Sequence, residues 1–127
     1  MNHRQLTLQA LYKIQIPLGK VLDVGCGNGD DIYDLFTKYD FDYTGIDSMI
    51  ENPDRNIVKG FMEKMTMFKN ESFDLIFICH SIEHCERPID AMREFQRLLK
   101  PDGMIFISLP VHCKEQILEQ DRDHIFV

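Results

Sequence analysis

The chain has 127 residues, room for one hydrophobic core and not two. Hydrophobic residues make up 44% and charged residues 28%, which excludes a disordered chain. Fourteen Lys and Arg stand against 21 Asp and Glu; the net charge of −7 argues against a nucleic-acid-binding face and suits a cationic or zwitterionic ligand.

In chain order, Leu8, Leu11 and Tyr12 fall at helical spacing within residues 5–16, and Pro17 and Gly19 close that segment. Lys20 to Val24 is a β-branched run that stops at Gly25-Cys26-Gly27-Asn28-Gly29. Asp30 and Asp31 then open a helix carrying Ile32, Leu35, Phe36 and Tyr39 at 3–4 spacing. Phe41 to Asp47 reads as a second strand and Asn56 to Lys59 as a weak third. Ser72 to Cys79 is the strongest strand, apolar enough to be buried on both faces. Ile89 to Lys100 places Met92, Phe95, Leu98 and Leu99 on one helical stripe and Arg93, Glu94 and Arg97 on the other. Pro101-Asp102-Gly103 ends that helix, Met104 to Leu109 makes a fifth strand, and Glu115 to Gln120 a last short helix. Strands alternating with helices predict an α/β fold: a doubly wound, mainly parallel sheet with right-handed crossovers, in a single domain over 1–127.

A glycine turn between the first strand and first helix of such a sheet frees the backbone for positive φ and for close approach of a ligand. The helix N-terminus behind it offers unpaired N–H groups. Eighteen positions after Gly29, Asp47 ends the second strand, where a carboxylate suits the two hydroxyls of a ribose. The conjunction predicts a nucleoside-containing ligand. A dinucleotide fingerprint wants Gly or Ala where this chain has Asp30, and a carboxylate beside a pyrophosphate is repulsive, which counts against NAD or FAD.

Val21-Leu22-Asp23-Val24-Gly25-Cys26-Gly27-Asn28-Gly29 resembles motif I of the class I, Rossmann-like S-adenosylmethionine-dependent methyltransferases. The resemblance continues through Thr44-Gly45-Ile46-Asp47, Ser72-Phe73-Asp74-Leu75-Ile76, Ser81-Ile82-Glu83-His84 and Leu98-Leu99-Lys100-Pro101-Asp102-Gly103, over about residues 20–110. It implies a truncated form of that fold, about five strands in the order 3-2-1-4-5, with S-adenosyl-L-methionine as cofactor. It also implies that Gly25, Cys26, Gly27, Asn28 and Gly29 pack against the methionine moiety and that Asp47, with Ser48 beside it, holds the ribose. Asp23 is then either near the ligand's ammonium group or a turn-capping carboxylate. Phe61 and Met62 stand where relatives often carry an acidic residue; they either pack on the adenine or belong to the core. Little remains of the helix that usually joins strands two and three, only Ser48 to Arg55, interrupted by Pro53.

The usual C-terminal strand hairpin is expected to be missing, since the chain stops at Asp123-His124-Ile125-Phe126-Val127. Strand five would then be an uncovered apolar edge, a template for pairing. A fragment, a final helix folded over the edge, or a homodimer through it are the alternatives, with self-association preferred.

Methyl transfer from a sulfonium is an in-line displacement, for which the protein chiefly aligns reactants and excludes water. Candidates just past strand four are His80, Glu83 and His84, with His80 facing the cofactor and His84 the base or acceptor-orienting group; Glu83 and His84 alternatively cap the loop. His124 is an outside candidate. Cys79 and Cys85 have no paired base imposed by spacing. His80, His84, Cys85, His112, Cys113 and His124 cluster in the second half, yet no metal site is expected from their pattern. The resemblance is to relatives acting on small molecules, with quinone, sugar and natural-product precursors among them, so a small-molecule acceptor is expected, and no nucleic acid. The alternative is a non-catalytic methyltransferase-like module. No apolar run approaches the roughly 18–20 residues that span a bilayer. Arg4, Gln5, Gln9 and Lys13 interrupt any signal-peptide core, so a cytoplasmic chain without a membrane partner is expected.

Overall fold

The computed structural model describes residues 19–109 in full, the backbone of 110 and 124–126, and Leu6. The expected helices at 5–16 (Leu6 apart) and 115–120, together with His112 and Cys113, lie outside the described residues. The elements are β1 (Lys20–Val24), α1 (Asp30–Lys38), β2 (Asp42–Asp47), β3 (Ile57–Lys59), β4 (Phe73–Cys79), α2 (Pro88–Leu98), β5 (Leu99–Pro110) and β6 (His124–Phe126). One sheet runs in the order β3-β2-β1-β4-β5-β6. Strands β1 to β5 are parallel, reproducing the expected 3-2-1-4-5 order.

The sixth strand corrects the sequence reading. β6 pairs antiparallel with the end of β5, Ser108 to Phe126 and Pro110 to His124. Part of the edge expected to be bare is therefore covered by the same chain, and the case for a homodimer through strand five loses its premise.

Side chains alternate across β1 with the two-residue period of a strand. Val21 joins a cluster with Ile32, Phe36, Tyr43 and Phe77 on the α1 face. Leu22 and Val24 join one with Ile46, Ile76, Phe95 and Leu98 on the α2 face. β4 is buried at all but Asp74, as its unbroken apolar run requires. Phe36, Phe77 and Phe95 expose no surface, and each such burial contributes about 2–3 kcal/mol, so one helix fastens each face of the sheet.

The α2–β5 junction differs from the expected one. The helix ends at Leu98, and Leu99 is already extended (φ −82°, ψ 133°) and paired with Phe73. Pro101 disfavours a helical Lys100 and pulls the chain out of α2 early. Register with β4 resumes at Met104 opposite Leu75, leaving Lys100 to Gly103 as a bulge. A Cβ on Gly103 would sit 2.6 Å from Leu99 Cδ1 and 2.9 Å from the Asp74 carbonyl, so the bulge closes only over glycine. Asp74 fastens it, its Oδ2 accepting from Lys20 N (2.9 Å) and Lys100 Nζ (3.2 Å). Burial alone would raise the Asp74 pKa, but these donors outweigh it and hold the carboxyl below its usual range.

Between β3 and β4 the chain forms turns, pinned from α2. Arg97 donates to both Glu94 oxygens (3.0 and 2.9 Å) and to the carbonyls of Met65 (2.9 Å) and Phe68 (3.0 Å), while Glu94 Oε2 accepts from Met65 N (2.7 Å). Two residues of the charged stripe thus clamp a loop.

Candidate functional site

The sheet order reverses between β1 and β4, and the crevice beyond their carboxyl ends is where ligands bind in open α/β sheets. A cleft of about 880 Å³ opens there, lined by Gly25, Asp47, Ser48, Phe61, Met62, His80 and His84 among others. Seven of the residues singled out from the sequence therefore share one wall system. Asp23, Cys26, Gly27, Asn28 and Gly29 are not among the lining residues.

The turn has the backbone that its glycines allow: φ is +69° at Gly25, +58° at Gly27 and +84° at Gly29. A Cβ on Gly25 would strike Ser81 Cβ at 2.4 Å, whereas one on Gly27 would meet nothing within 4 Å. Gly25 is thus small to admit a neighbour, and Gly27 borders open space that a ligand can fill. The neighbour, Ser81, is buried and donates its hydroxyl to Val24 O (2.9 Å), closing the crevice floor between β1 and β4. Ser81 opens one of the blocks that carry the family resemblance, but no role for it follows from the sequence.

Asp47 ties the glycine turn to the start of the β2–β3 connection. Its Oδ2 accepts from Gly27 N (2.8 Å), and its Oδ1 from Met49 N (2.9 Å) and Ile50 N (3.1 Å). An ionised carboxylate offers about four lone-pair sites, so acceptor capacity remains for hydroxyls. Asp23 lies beneath the turn, fully buried, its Oδ2 accepting from Tyr43 OH (2.7 Å). Cys26 is a packing residue: its Sγ lies 2.6 Å from where a Gly45 Cβ would stand.

Across the cleft, His80 has positive φ (+54°) and donates its backbone N–H to Ser108 O (2.9 Å), which anchors it to β5. His84 is exposed at the end of a 3₁₀ turn (Ile82–His84), its Nε2 3.9 Å from Glu83 Oε1. Phe61 is 62% exposed at the mouth, so it is no core residue, while Met62 is partly buried against the α2-side core. Cys85 donates its thiol to Glu63 Oε2 (3.1 Å). Burial and then that carboxylate push the thiol pKa up, so Cys85 is protonated and a poor nucleophile. Cys79 is buried. Asp47, Glu63, Glu86 and Asp90 line the cleft against Lys64 and Arg87, a balance that attracts a cation. Among the described residues, no helix is long and apolar enough to cross a membrane.

Comparison with known proteins agrees with this geometry. A family model described as a methyltransferase domain matches residues 4–124. The chain belongs to that methyltransferase family. It is 31% identical over 105 residues to a ubiquinone biosynthesis O-methyltransferase of Actinobacillus pleuropneumoniae, covering 70% of this chain and 44% of that protein. It is 28% identical over 109 residues to the demethylmenaquinone methyltransferase of Chlorobaculum tepidum, covering 80% and 45%. Among solved structures, the PH0226 protein of Pyrococcus horikoshii superposes with a TM-score of 0.75 at 25% identity, over 94% of this chain and 58% of that one. The chain spans less than half the length of these two curated relatives.

Proposed function

We propose that this methyltransferase-family chain transfers a methyl group from S-adenosyl-L-methionine to a small-molecule acceptor. The observation that carries this reading is the bond from Gly27 N to Asp47 Oδ2, which joins the glycine turn to a carboxylate on the cleft wall. The residues fit the group on three counts. Open space faces Gly27, the cleft has adequate volume, and four carboxylates line it for a ligand carrying a sulfonium and an ammonium. When bound, the cofactor supplies an activated methyl on a positively charged sulfur.

The chain's own residues bind, orient and exclude water. Gly25 to Gly29 provide backbone for the methionine portion, and Asp47, with Ser48, accepts from the ribose hydroxyls. Phe61 and Met62 offer apolar surface to the adenine, and His80 closes the far wall. Asp23, under the turn, accepts from Tyr43 OH and so positions β2 against β1. His84, exposed at the mouth, receives the acceptor's proton or orients the acceptor, a role worth roughly 10²–10⁴ in rate for a positioned base.

The named relatives, a ubiquinone biosynthesis O-methyltransferase and a demethylmenaquinone methyltransferase, suggest hydroxylated aromatic rings as the first acceptors to try. The test is release of S-adenosylhomocysteine on incubating the chain with S-adenosylmethionine and a panel of catechols, hydroquinones and naphthols. Turnover with any member supports the reading. His84→Gln should then lower kcat at least about tenfold and leave cofactor affinity intact. Cofactor binding without turnover on any acceptor, with or without a co-expressed partner, would favour a non-catalytic module of the same family.

A further inference from the structure

The connection between β2 and β3 is too short for the helix that its position in the sheet invites, and the structure shows what stands there instead. Asn52 to Asn56 form a 3₁₀ turn (Pro53–Arg55) capped by Asn52, whose Oδ1 accepts from Asp54 N (3.1 Å). That bond fixes which way the Asn52 amide faces. Its Nδ2 must then be the donor on the other side, and it reaches Asn28 Oδ1 in the glycine turn (2.8 Å). Arg55 Nη1 donates to Asn28 O (2.9 Å), so Asn28 is held by side chain and main chain at once. The Arg55 guanidinium also lies 5.0 Å over the ring of Tyr33, in the first turns of α1. Tyr33 meets Tyr43 edge-on at 5.2 Å, and Tyr43 holds the buried Asp23.

We propose that Asn52 and Arg55 form a latch that holds the glycine turn in its ligand-receiving shape, making both of them positioning residues for the cofactor. This rests on reading the cleft as an S-adenosylmethionine site. The turn has reason to need such a hold: Gly25, Gly27, Gly29 and Asp30 all have positive φ, and glycine backbone is soft. The segment 47–55 grips it at two places, with Asp47 on Gly27 N at its start and Asn52 and Arg55 on Asn28 at its end. Asn56, left-handed at φ 56°, ψ 41°, fixes the exit by donating to Tyr43 O (3.0 Å) and Thr44 Oγ1 (2.9 Å). A turn ordered before binding spares the ligand the cost of ordering it.

Three variants of the full chain separate the latch from its surroundings. Asn52→Ser keeps an oxygen to cap the 3₁₀ turn and is too short to reach Asn28. Arg55→Met keeps an apolar stem on Tyr33 and removes the donors. Asn52→Asp keeps the cap and can accept from the Asn28 amide once that amide turns over, so it is the conservative rescue. The readouts are the Kd for S-adenosylhomocysteine by calorimetry and backbone amide exchange across the whole chain.

Asn52→Ser and Arg55→Met should each raise Kd about three- to tenfold, the range for loss of one partly exposed hydrogen bond. Exchange should quicken over residues 25–30 and not elsewhere, and Asn52→Asp should keep affinity near the parent value. If the parent binds and both variants bind as tightly, the latch is wrong. Exchange that rises uniformly along the chain also overturns it, because that marks general destabilisation. If the parent does not bind at all, the cofactor reading fails, and exchange at residues 25–30 alone decides whether the latch holds the turn.

Discussion

Asp47 accepts three backbone N–H groups, from Gly27, Met49 and Ile50, and stands at the cleft wall. Asp47→Ala should weaken S-adenosylmethionine binding by about 1.5–3 kcal/mol, through loss of charge-assisted bonds to the ribose and loosening of the turn. Calorimetry checks this, and unchanged affinity would put the ligand elsewhere. Gly27 makes a complementary case, because its φ of +58° and the open space beside it make different demands. Gly27→Val should abolish binding by filling that space, while backbone strain lowers stability by about 1–2 kcal/mol, measured by urea unfolding. Full affinity in a folded Gly27→Val chain would show that no ligand approaches there. Asp47 and the glycines were legible in the sequence because strand, turn and carboxylate follow one another at short range. The bond of Ser81 to the floor was not, since its partner Val24 lies 57 residues away and the block Ser81 belongs to does not mark that contact. The same holds for the bond from Asn52 to Asn28: Asn28 stood out as part of the glycine turn, but nothing marked Asn52, a polar residue of a kind that loops carry everywhere, as its partner.

At the scale of elements, β2 sits against the glycine turn through Gly45, where an added Cβ would stand 2.6 Å from Cys26 Sγ and 3.0 Å from Ile57 Cγ1. Gly45→Ala should cost about 1–3 kcal/mol of stability by overpacking. Adding Cys26→Ala should recover much of it, and strictly additive losses would show that the two residues do not compete for the space. The α2 clamp gives a pH signature. Its Arg97 partner, more than its burial, holds the Glu94 carboxyl below the usual range, and Asp74 is also depressed. Both carboxylates have lower pKa values folded than unfolded. Their stabilisation is therefore complete above the unfolded range, about 3.9–4.3, and is lost as pH falls through the lower folded values. Glu94→Gln should cost about 1–2 kcal/mol near neutrality, and the difference should shrink as the pH falls through the lowered folded range, measured as urea midpoints along a pH series. A loss independent of pH would mean that the ion pair does not set the clamp. Periodicity correctly put Glu94 and Arg97 on one helix side; it could not reveal that a loop with no pattern of its own folds back onto them.

For the whole molecule, a parallel sheet followed from alternating elements and the order 3-2-1-4-5 from the family resemblance, and the structure adds a strand that no periodicity marked. β6 is three residues long and pairs only with the end of β5, a length at which sequence pattern carries no signal. The β5 start was misplaced for a related reason: Leu99 pairs with Phe73 before the bulge, while its apolar character fits the helical stripe equally well. Deleting 124–127 should uncover the β5 edge and produce concentration-dependent association in analytical ultracentrifugation beyond that of the parent chain. Identical sedimentation would show that β6 does not guard the edge.

On the proposed function, the cleft bounded by Gly25, Asp47 and the loop after β4 holds S-adenosylmethionine. Calorimetric titration of the chain with S-adenosylmethionine, S-adenosylhomocysteine and NAD tests it most directly. One-to-one binding of the first two, with no heat from NAD, is the expected result. Silence to all three, or binding of NAD in their place, would contradict it.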